Sequence, residues 1–524
     1  MKVRWNGSDR GAVNRPAPRL YGLEAIPAAL ALLGRLTVAT VGWAQPIPPT
    51  PIPEGFLASP GATATPFVGQ AGKGARVSAA RVPRHPFMAR NARSNLHNDA
   101  FMTDTYKRKG PSGVSMERLS MFTGGGVCAS VTFDARGRIV TVCINNGGKP
   151  FLKLIDAKTL SELASLELPP KPASPNPYQD FTGGGYFYLD NKKRAVLFTA
   201  DHHVSIVALT GGKSAPPAFA VEQDYDLTSV IASDDKSTSL LPDWSGRIWF
   251  VTLNGIVGVI DPGSGQVQTS ATGEQIENSF AVDDTGGVFI VTDQALYRFD
   301  ADANGAPSIT WREVYQNSNI AKPGQVNAGS GTTPTLLGKE WVAITDNADP
   351  MNVVVYRRQR NVTGARLVCE QPVFATGASA TENSLIGADR SLIVENNYGY
   401  TGPLVTVSGL STSPGIERVD INADGNGCHL VWHSDERAPT VVPKLSLKTG
   451  LIYTYTKDPE PGPTYADPWY LTAIDFATGQ TKWKQLAGTG LYFNNNYAPV
   501  TLGPDGSAYI GVLGGLVKLR DTAP

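Results

Sequence analysis

From about residue 113 to the C-terminus, apolar runs of four to six residues alternate with tight polar turns, with no stretch of helical period. Arg-Ile-Val-Thr-Val-Cys (138–143) and Gly-Val-Phe-Ile-Val-Thr (287–292) are continuously apolar, the pattern of strands buried on both faces. Eight times an apolar strand, a turn and a second apolar strand follow one another. The turns lie at 134–137, 190–193, 243–246, 283–287, 338–340, 389–391, 447–450 and 504–506. Each has the Asp, Gly, Asn or Lys chemistry of a hairpin. Successive turns are 40 to 58 residues apart, about the length of four strands and their loops. The pattern predicts an all-β chain, an eight-bladed β-propeller of four-stranded antiparallel blades with the hairpin turns on one face. The segment after 498 supplies three strands, so Val114 to Phe122 is predicted to close the ring as the last blade's outer strand.

Half a blade later a second repeat occurs, in which a strand ends in Asp and turns over Gly or Thr: 154–159, 259–265, 298–302, 418–422 and 473–479. The Asp carboxylate can cap the turn amides. The fullest copy, Tyr-Leu-Thr-Ala-Ile-Asp-Phe-Ala-Thr-Gly-Gln-Thr-Lys-Trp-Lys-Gln (470–485), resembles the tryptophan-docking repeat of the quinoprotein (PQQ) dehydrogenase-like propellers. The resemblance implies that architecture over residues 113–521, with Trp483 packed between blades. A quinoprotein-type oxidoreductase is the activity it suggests. Enzymes of that kind typically carry a disulfide between adjacent cysteines beside the quinone, and this chain has no Cys-Cys pair.

Composition narrows the partners. Lys+Arg and Asp+Glu balance at 46 each, which gives no global field to attract nucleic acid. Residues 1–44 read as a targeting segment: four arginines precede a mostly apolar run ending in Gly42-Trp43-Ala44, a small-x-small cleavage pattern before Gln45. The alternative is an uncleaved anchor, against which Arg35 interrupts the run. Residues 45–112 read as a Pro-rich linker and N-terminal arm, and the mature protein is expected to be periplasmic or secreted without a stable membrane span. Four cysteines suit an oxidising compartment. Cys128 and Cys143 fall opposite each other across the first hairpin, and Cys369 and Cys428 lie on outer strands of successive blades.

Loops leading into each blade's first strand, and those joining second and third strands, share the channel mouth. They carry Glu277-Asn278-Ser279, Glu382-Asn383-Ser384, Asn494-Asn495-Asn496, Asp201-His202-His203, Asp346-Asn347 and Glu395-Asn396-Asn397. Converging oxygens are what Ca²⁺ requires, about six to eight of them. Glu plus Asn at a strand start resembles the calcium sites of quinoprotein dehydrogenases and calcium-dependent propeller lactonases. Glu277, Asn278, Glu382, Asn383 and Asn396 are the candidate ligands; the alternative is that these residues cap turns. His202 or His203 can act as a general base near neutral pH, with Asp346 in the same loop layer, or stand as polar surface. His429 and His433 read as outer-strand residues. Phe-Thr-Gly-Gly-Gly at 122–126 and 181–185 can approach a ligand closely or simply fit a narrow channel. Residues 84–106 have no clean period. They form either a strap across the mouth, adding His97, Asp99 or Arg93 to a pocket, or a surface arm. Three readings stay open: a quinoprotein oxidoreductase, a Ca²⁺-assisted hydrolase or lyase, and a non-catalytic scaffold for an unknown small-molecule or protein partner.

Overall fold

The computed structural model describes residues 46–522 except 146–147, 175–176, 181, 213–214 and 464. The predicted targeting segment and its cleavage point lie outside the described residues. Eight sheets form the eight blades of a propeller, seven of them antiparallel and four-stranded. Blade 1 consists of Cys128–Phe133, Ile139–Ile144, Pro150–Ile155 and Glu162–Glu167, from axis to rim. The innermost strands of blades 2 to 8 are Phe187–Leu189, Ser237–Pro242, Ala281–Val282, Thr335–Leu337, Ile386–Ala388, Lys444–Ser446 and Val500–Leu502. All eight predicted turns join first to second strands. The 40-residue interval reflects the short connections of blade 3, not a missing sheet.

Ring closure follows the sequence pattern. Met116–Phe122 pairs with Gly515–Asp521 as the outer strand of blade 8. The Asp521 carboxylate then accepts the amides of Ser112, Gly113 and Val114, which fixes the chain where it enters that strand.

Turn chemistry is repeated residue by residue. In Asp134, Asp190 and Asp243, Oδ1 accepts the amides two and four residues on, and Oδ2 accepts the Nε of Arg138, Arg194 or Arg247. Blade 4 has Gly287 where the others have arginine. A Cβ there would lie 2.6 Å from the buried Arg298 guanidinium. Asp283 takes its cation from Arg358 of blade 5 instead. The half-blade repeat caps in the same manner, with Asp475 Oδ1 accepting the amides of Ala477 and Thr478. Trp483 is fully buried against Phe67, Tyr453 and Gly113, in the body of the wall.

Both disulfides form. Cys128–Cys143 bridges the first two strands of blade 1, and Cys369–Cys428 ties the outer strands of blades 5 and 6. No helix among the described residues is long and apolar enough to cross a membrane.

Residues 84–106 are not a surface arm; they bring His97 to a pocket as the strap alternative had it, but by entering the channel. Phe67–Gly69 adds an outer strand to blade 7, and Thr105–Tyr106 adds an inner one, making that sheet six-stranded. Between them the chain crosses the hairpin-turn face, touching Leu447, Asn191 and the Trp244 ring on its way. It then turns into the channel, where residues 94–104 are all buried. There the carbonyls of Arg93, Ser94, Ala100, Phe101, Thr103 and Asp104 accept amides of Phe133, Leu189, Val282, Leu336, Gly387 and Leu445, the innermost strands of blades 1, 2, 4, 5, 6 and 7. Arg108 donates to the Leu502 carbonyl of blade 8, and the His85 ring packs on Trp244 in the turn of blade 3. An innermost strand otherwise leaves its axial edge unpaired, and buried unpaired amides are costly. Residues 85–108 are therefore a plug that bonds to the innermost strands of seven of the eight blades.

Candidate functional site

Because the plug binds near the hairpin turns, it closes one end of the channel and leaves the mouth end open. The result is a blind cavity of about 500 Å³, with Leu96 and His97 of the plug at its inner end. The glycine segments shape its side. Gly125 and Gly126 line it, and a Cβ on Gly126 would lie 1.4 Å from the Ile144 carbonyl oxygen, so no other residue fits. In the second copy Gly185 lines the cavity and Phe181 lies outside the described residues. Tyr178, Tyr186 and Tyr497 add aromatic wall.

The cavity's acids are set into this apolar wall. Glu382 lines it and is 9% exposed; its Oε1 accepts the Val326 amide at 2.8 Å. Burial raises the Glu382 carboxyl well above the carboxylate range; the Val326 amide opposes this and the Glu277 charge adds to it. Burial, with the Asp180 charge adding, pushes Glu277 up to about 7. Neither glutamate forms an ion pair among the described residues. By contrast Asp180, at the rim, is ion-paired by Lys171 and Lys236. Burial pushes its carboxyl upward, but Lys171, Thr182 and Lys236 outweigh this and hold it below the ordinary range.

At the inner end three charged or polar groups are stacked in the dark. Lys444 Nζ pairs with Asp104 Oδ1 and donates to the Leu96 carbonyl at 2.9 Å. The Asp104 carboxylate faces His97 Nδ1 at 3.1 Å. Burial lowers the His97 pKa, against the pull of Asp104 and with Lys444 assisting, so the ring is neutral at pH 7. A neutral ring with Nδ1–H donating to Asp104 carries its lone pair on Nε2. That nitrogen is buried and has no hydrogen-bond partner in the protein. Asn278 Nδ2, on a second lining residue, is also buried and unpartnered.

The sequence candidates separate into two groups. Glu382 and Asn278 line the cavity, and Glu277 and Asn383 are their buried or half-buried neighbours, Asn383 with neither amide atom partnered. Asn396 is elsewhere: its amide donates to the Ala378 and Pro414 carbonyls and accepts from Ala380 and Tyr398, as a loop cap does. None of His202, His203 and Asp346 lines the cavity. His202 is buried with Nε2 on the Asp235 carbonyl, and His203 pairs with Asp224 on the outer strand. Asp346 caps Ala348 and Asn352 within its own loop, and burial pushes it up to about 6. Among the described residues no three His, Cys, Asp or Glu come together to hold a metal ion. His97 entered the sequence reading only as part of an undecided strap, and the tyrosines not at all. Tyr186 and Tyr497 each directly follow a motif that was singled out, Gly183-Gly-Gly and Asn494-Asn-Asn, which was the available signal.

No protein-family profile matches the chain. An uncharacterized protein of Archaeoglobus fulgidus is 28% identical over 323 residues, 55% of this chain and 62% of its own length. The chain thus spans about three fifths of that relative. Among solved structures, BamB from Moraxella catarrhalis aligns at TM-score 0.40 and 13% identity, covering 62% of this chain and 93% of BamB. A streptogramin B lyase aligns at TM-score 0.37 and 11% identity, covering 77% and 97%.

Proposed function

We propose that this protein is an exported β-propeller that binds a small organic molecule in the mouth cavity. The observation that carries this reading is the cavity's inner end: a blind, mostly apolar space lined by residues whose buried polar atoms, His97 Nε2 and Asn278 Nδ2, have no partner in the protein. Buried polar atoms are normally satisfied, and a binding pocket is the common exception. Two disulfides support export to an oxidising compartment.

The quinoprotein resemblance names one occupant to test, although residues 470–485 contribute no side chain to the cavity lining. For Ca²⁺, the Glu277 and Glu382 carboxylates with the Asn278 and Asn383 amides offer at most six oxygens, the bottom of the roughly six to eight the ion takes. One of those oxygens is already engaged by Val326. We therefore route no chemistry through a cation or a quinone.

The test is native mass spectrometry of protein recovered from the exported fraction, in wild type and in Ala129→Trp, which fills the cavity. A bound mass in wild type that is absent from a normally folded Ala129→Trp supports the reading. A wild type without any bound mass, and without any fragment-induced melting shift that Ala129→Trp abolishes, would overturn it.

A further inference from the structure

We infer that the hairpin-turn face of the propeller is an interaction surface for an anionic phospholipid bilayer, a reading that does not depend on what the mouth cavity holds. The charge balance of the whole chain conceals a local excess. Between Glu54 and Asp99 the sequence has six lysines and arginines and no acid, and Lys107-Arg-Lys109 follows the plug. Two of these nine, Arg93 and Arg108, donate to the carbonyls of Asp134, Ala92 and Leu502. The other seven, Lys73, Arg76, Arg81, Arg84, Arg90, Lys107 and Lys109, are exposed, and none has an ion-pair partner among the described residues.

The segment that crosses this face spreads the cations around the axis. Val77 bonds to Leu447 in the turn of blade 7, and Arg76 shares a hollow with Asp389 and Arg390 of the blade 6 turn. Arg81 lies beside Asp284 and Lys339, in the turns of blades 4 and 5. Arg84 precedes His85, whose ring packs on Trp244 of blade 3, and the Phe87 carbonyl accepts the Asn191 amide of blade 2. A Cβ on Gly506 of blade 8 would meet Lys109 Cε at 3.5 Å. The turns add exposed cations of their own: Arg136, Lys192, Lys193, Lys339, Arg390 and Lys448. Their aspartates cancel little, because Asp134, Asp190, Asp243 and Asp283 are already paired with arginine. The exposed acids left at these turns are Asp284, Glu340, Asp389 and Asp505, four against seven plus six cations. Asp156, Asp261, Asp302, Asp424 and Asp475 belong to the outer turns between third and fourth strands, so the centre of the face stays positive.

A two-dimensional ring of this kind suits a two-dimensional array of phosphates. A chain-like polyanion follows one line and leaves part of a ring unused, whereas a bilayer meets all of it within a Debye length. Phe87 adds a second feature. It stands between Arg84 and Arg90, is 37% exposed and is backed by Gly246 of blade 3, so an aromatic side chain is held out where a headgroup boundary would lie. With this face on a membrane, the open mouth of the cavity points to the aqueous side.

The experiment is co-sedimentation of protein from the exported fraction with vesicles of phosphatidylglycerol and phosphatidylcholine in equal parts. Vesicles of phosphatidylcholine alone report anything the apolar run near the N-terminus contributes. Binding to the anionic vesicles is expected, and it should weaken as salt is raised through the physiological range. Arg76→Gln, Arg81→Gln, Arg84→Gln and Arg90→Gln combined should weaken it at least about tenfold, since each cation near such a surface is worth on the order of fivefold. Lys107→Gln with Lys109→Gln, on another arc of the ring, should weaken it by a smaller, measurable factor. Lys149→Gln with Arg312→Gln removes two ion-paired cations toward the mouth end and should leave binding unchanged. Melting midpoints check that each variant is folded; if the quadruple variant is not, the Lys107 and Lys109 pair carries the test. Equal binding to uncharged vesicles, or an equal loss in the mouth-end variant, overturns the inference. So does capture of heparin or single-stranded DNA without binding to anionic vesicles, because the ring would then recognise a polyanionic chain.

Discussion

Asp283 shows how much a single position is constrained by its neighbours in other blades. Its three counterparts neutralise the turn carboxylate with an arginine four residues on; Asp283 has glycine there and reaches 75 residues along the chain to Arg358. Both partners are 1–2% exposed, so neither charge is stabilised by water. Arg298 Nη1 stays 3.6 Å from the same carboxylate, so Arg358→Met should destabilise the fold by about 2 kcal/mol, the scale of one lost hydrogen bond to a charged group. Adding Asp283→Asn should recover a substantial part, read as midpoints in urea unfolding; no recovery would mean that packing of the arginine over Phe101 dominates. Asp99 in the plug gives a pH signature. Burial pushes its carboxyl up to about 7, so its folded pKa lies above the unfolded value. Such a group is least unfavourable in the acid range, and the protein loses stability as pH rises from about 4 through 7. Asp99→Asn should therefore gain on wild type between pH 5 and pH 8 in thermal melts. A constant difference between the two would show that Asp99 does not titrate in that range.

At the scale of the element, the strand Met116–Phe122 makes seven register pairs with the chain's C-terminal strand. Deleting 113–122 would expose the edge of Gly515–Asp521 and release the Asp521 cap. The variant is expected to unfold or aggregate; a soluble protein with a cooperative melt would show that closure is dispensable. This element was legible in the sequence because a ring with three strands at one end needs a fourth. The eight turns were legible because Asp and Gly act on amides two to four residues away. The plug was not. Its hydrogen bonds go to strands from 40 to 394 residues distant, and its backbone follows no repeat, with Ala92, Asn98, Met102 and Asp104 at positive φ. Of the four residues that recur at matching points of two blades, Glu382 and Asn278 line the cavity and Glu277 and Asn383 do not, a difference the repeat itself does not carry. Asn396 and Asp346 share the same composition but act as loop caps, and His202 reaches the Asp235 carbonyl 33 residues away, which the pattern of residue types does not distinguish.

For the whole molecule, the plug changes what kind of repeat protein this is. Blades that meet only their neighbours have stability that adds blade by blade, and such arrays can melt in parts. Here one segment bonds to the innermost strands of seven of the eight blades, and Lys444 and Asp104 bury a charge pair between plug and wall. Removing the plug would leave Lys444, fully buried, without its carboxylate and would open a row of strand edges along the axis. It would also remove Leu96 and His97 from the cavity's wall. Two outcomes are expected from this arrangement. The intact protein should unfold in a single transition whose calorimetric and van't Hoff enthalpies agree. A chain beginning at Gly113 should fail to give a cooperative fold even though all eight blades and the closing strand are retained. The measurement is scanning calorimetry of both proteins, with circular dichroism to confirm strand content. If the shortened chain melts cooperatively near the wild-type midpoint, the blades are self-sufficient. The plug would then serve only to shape the cavity.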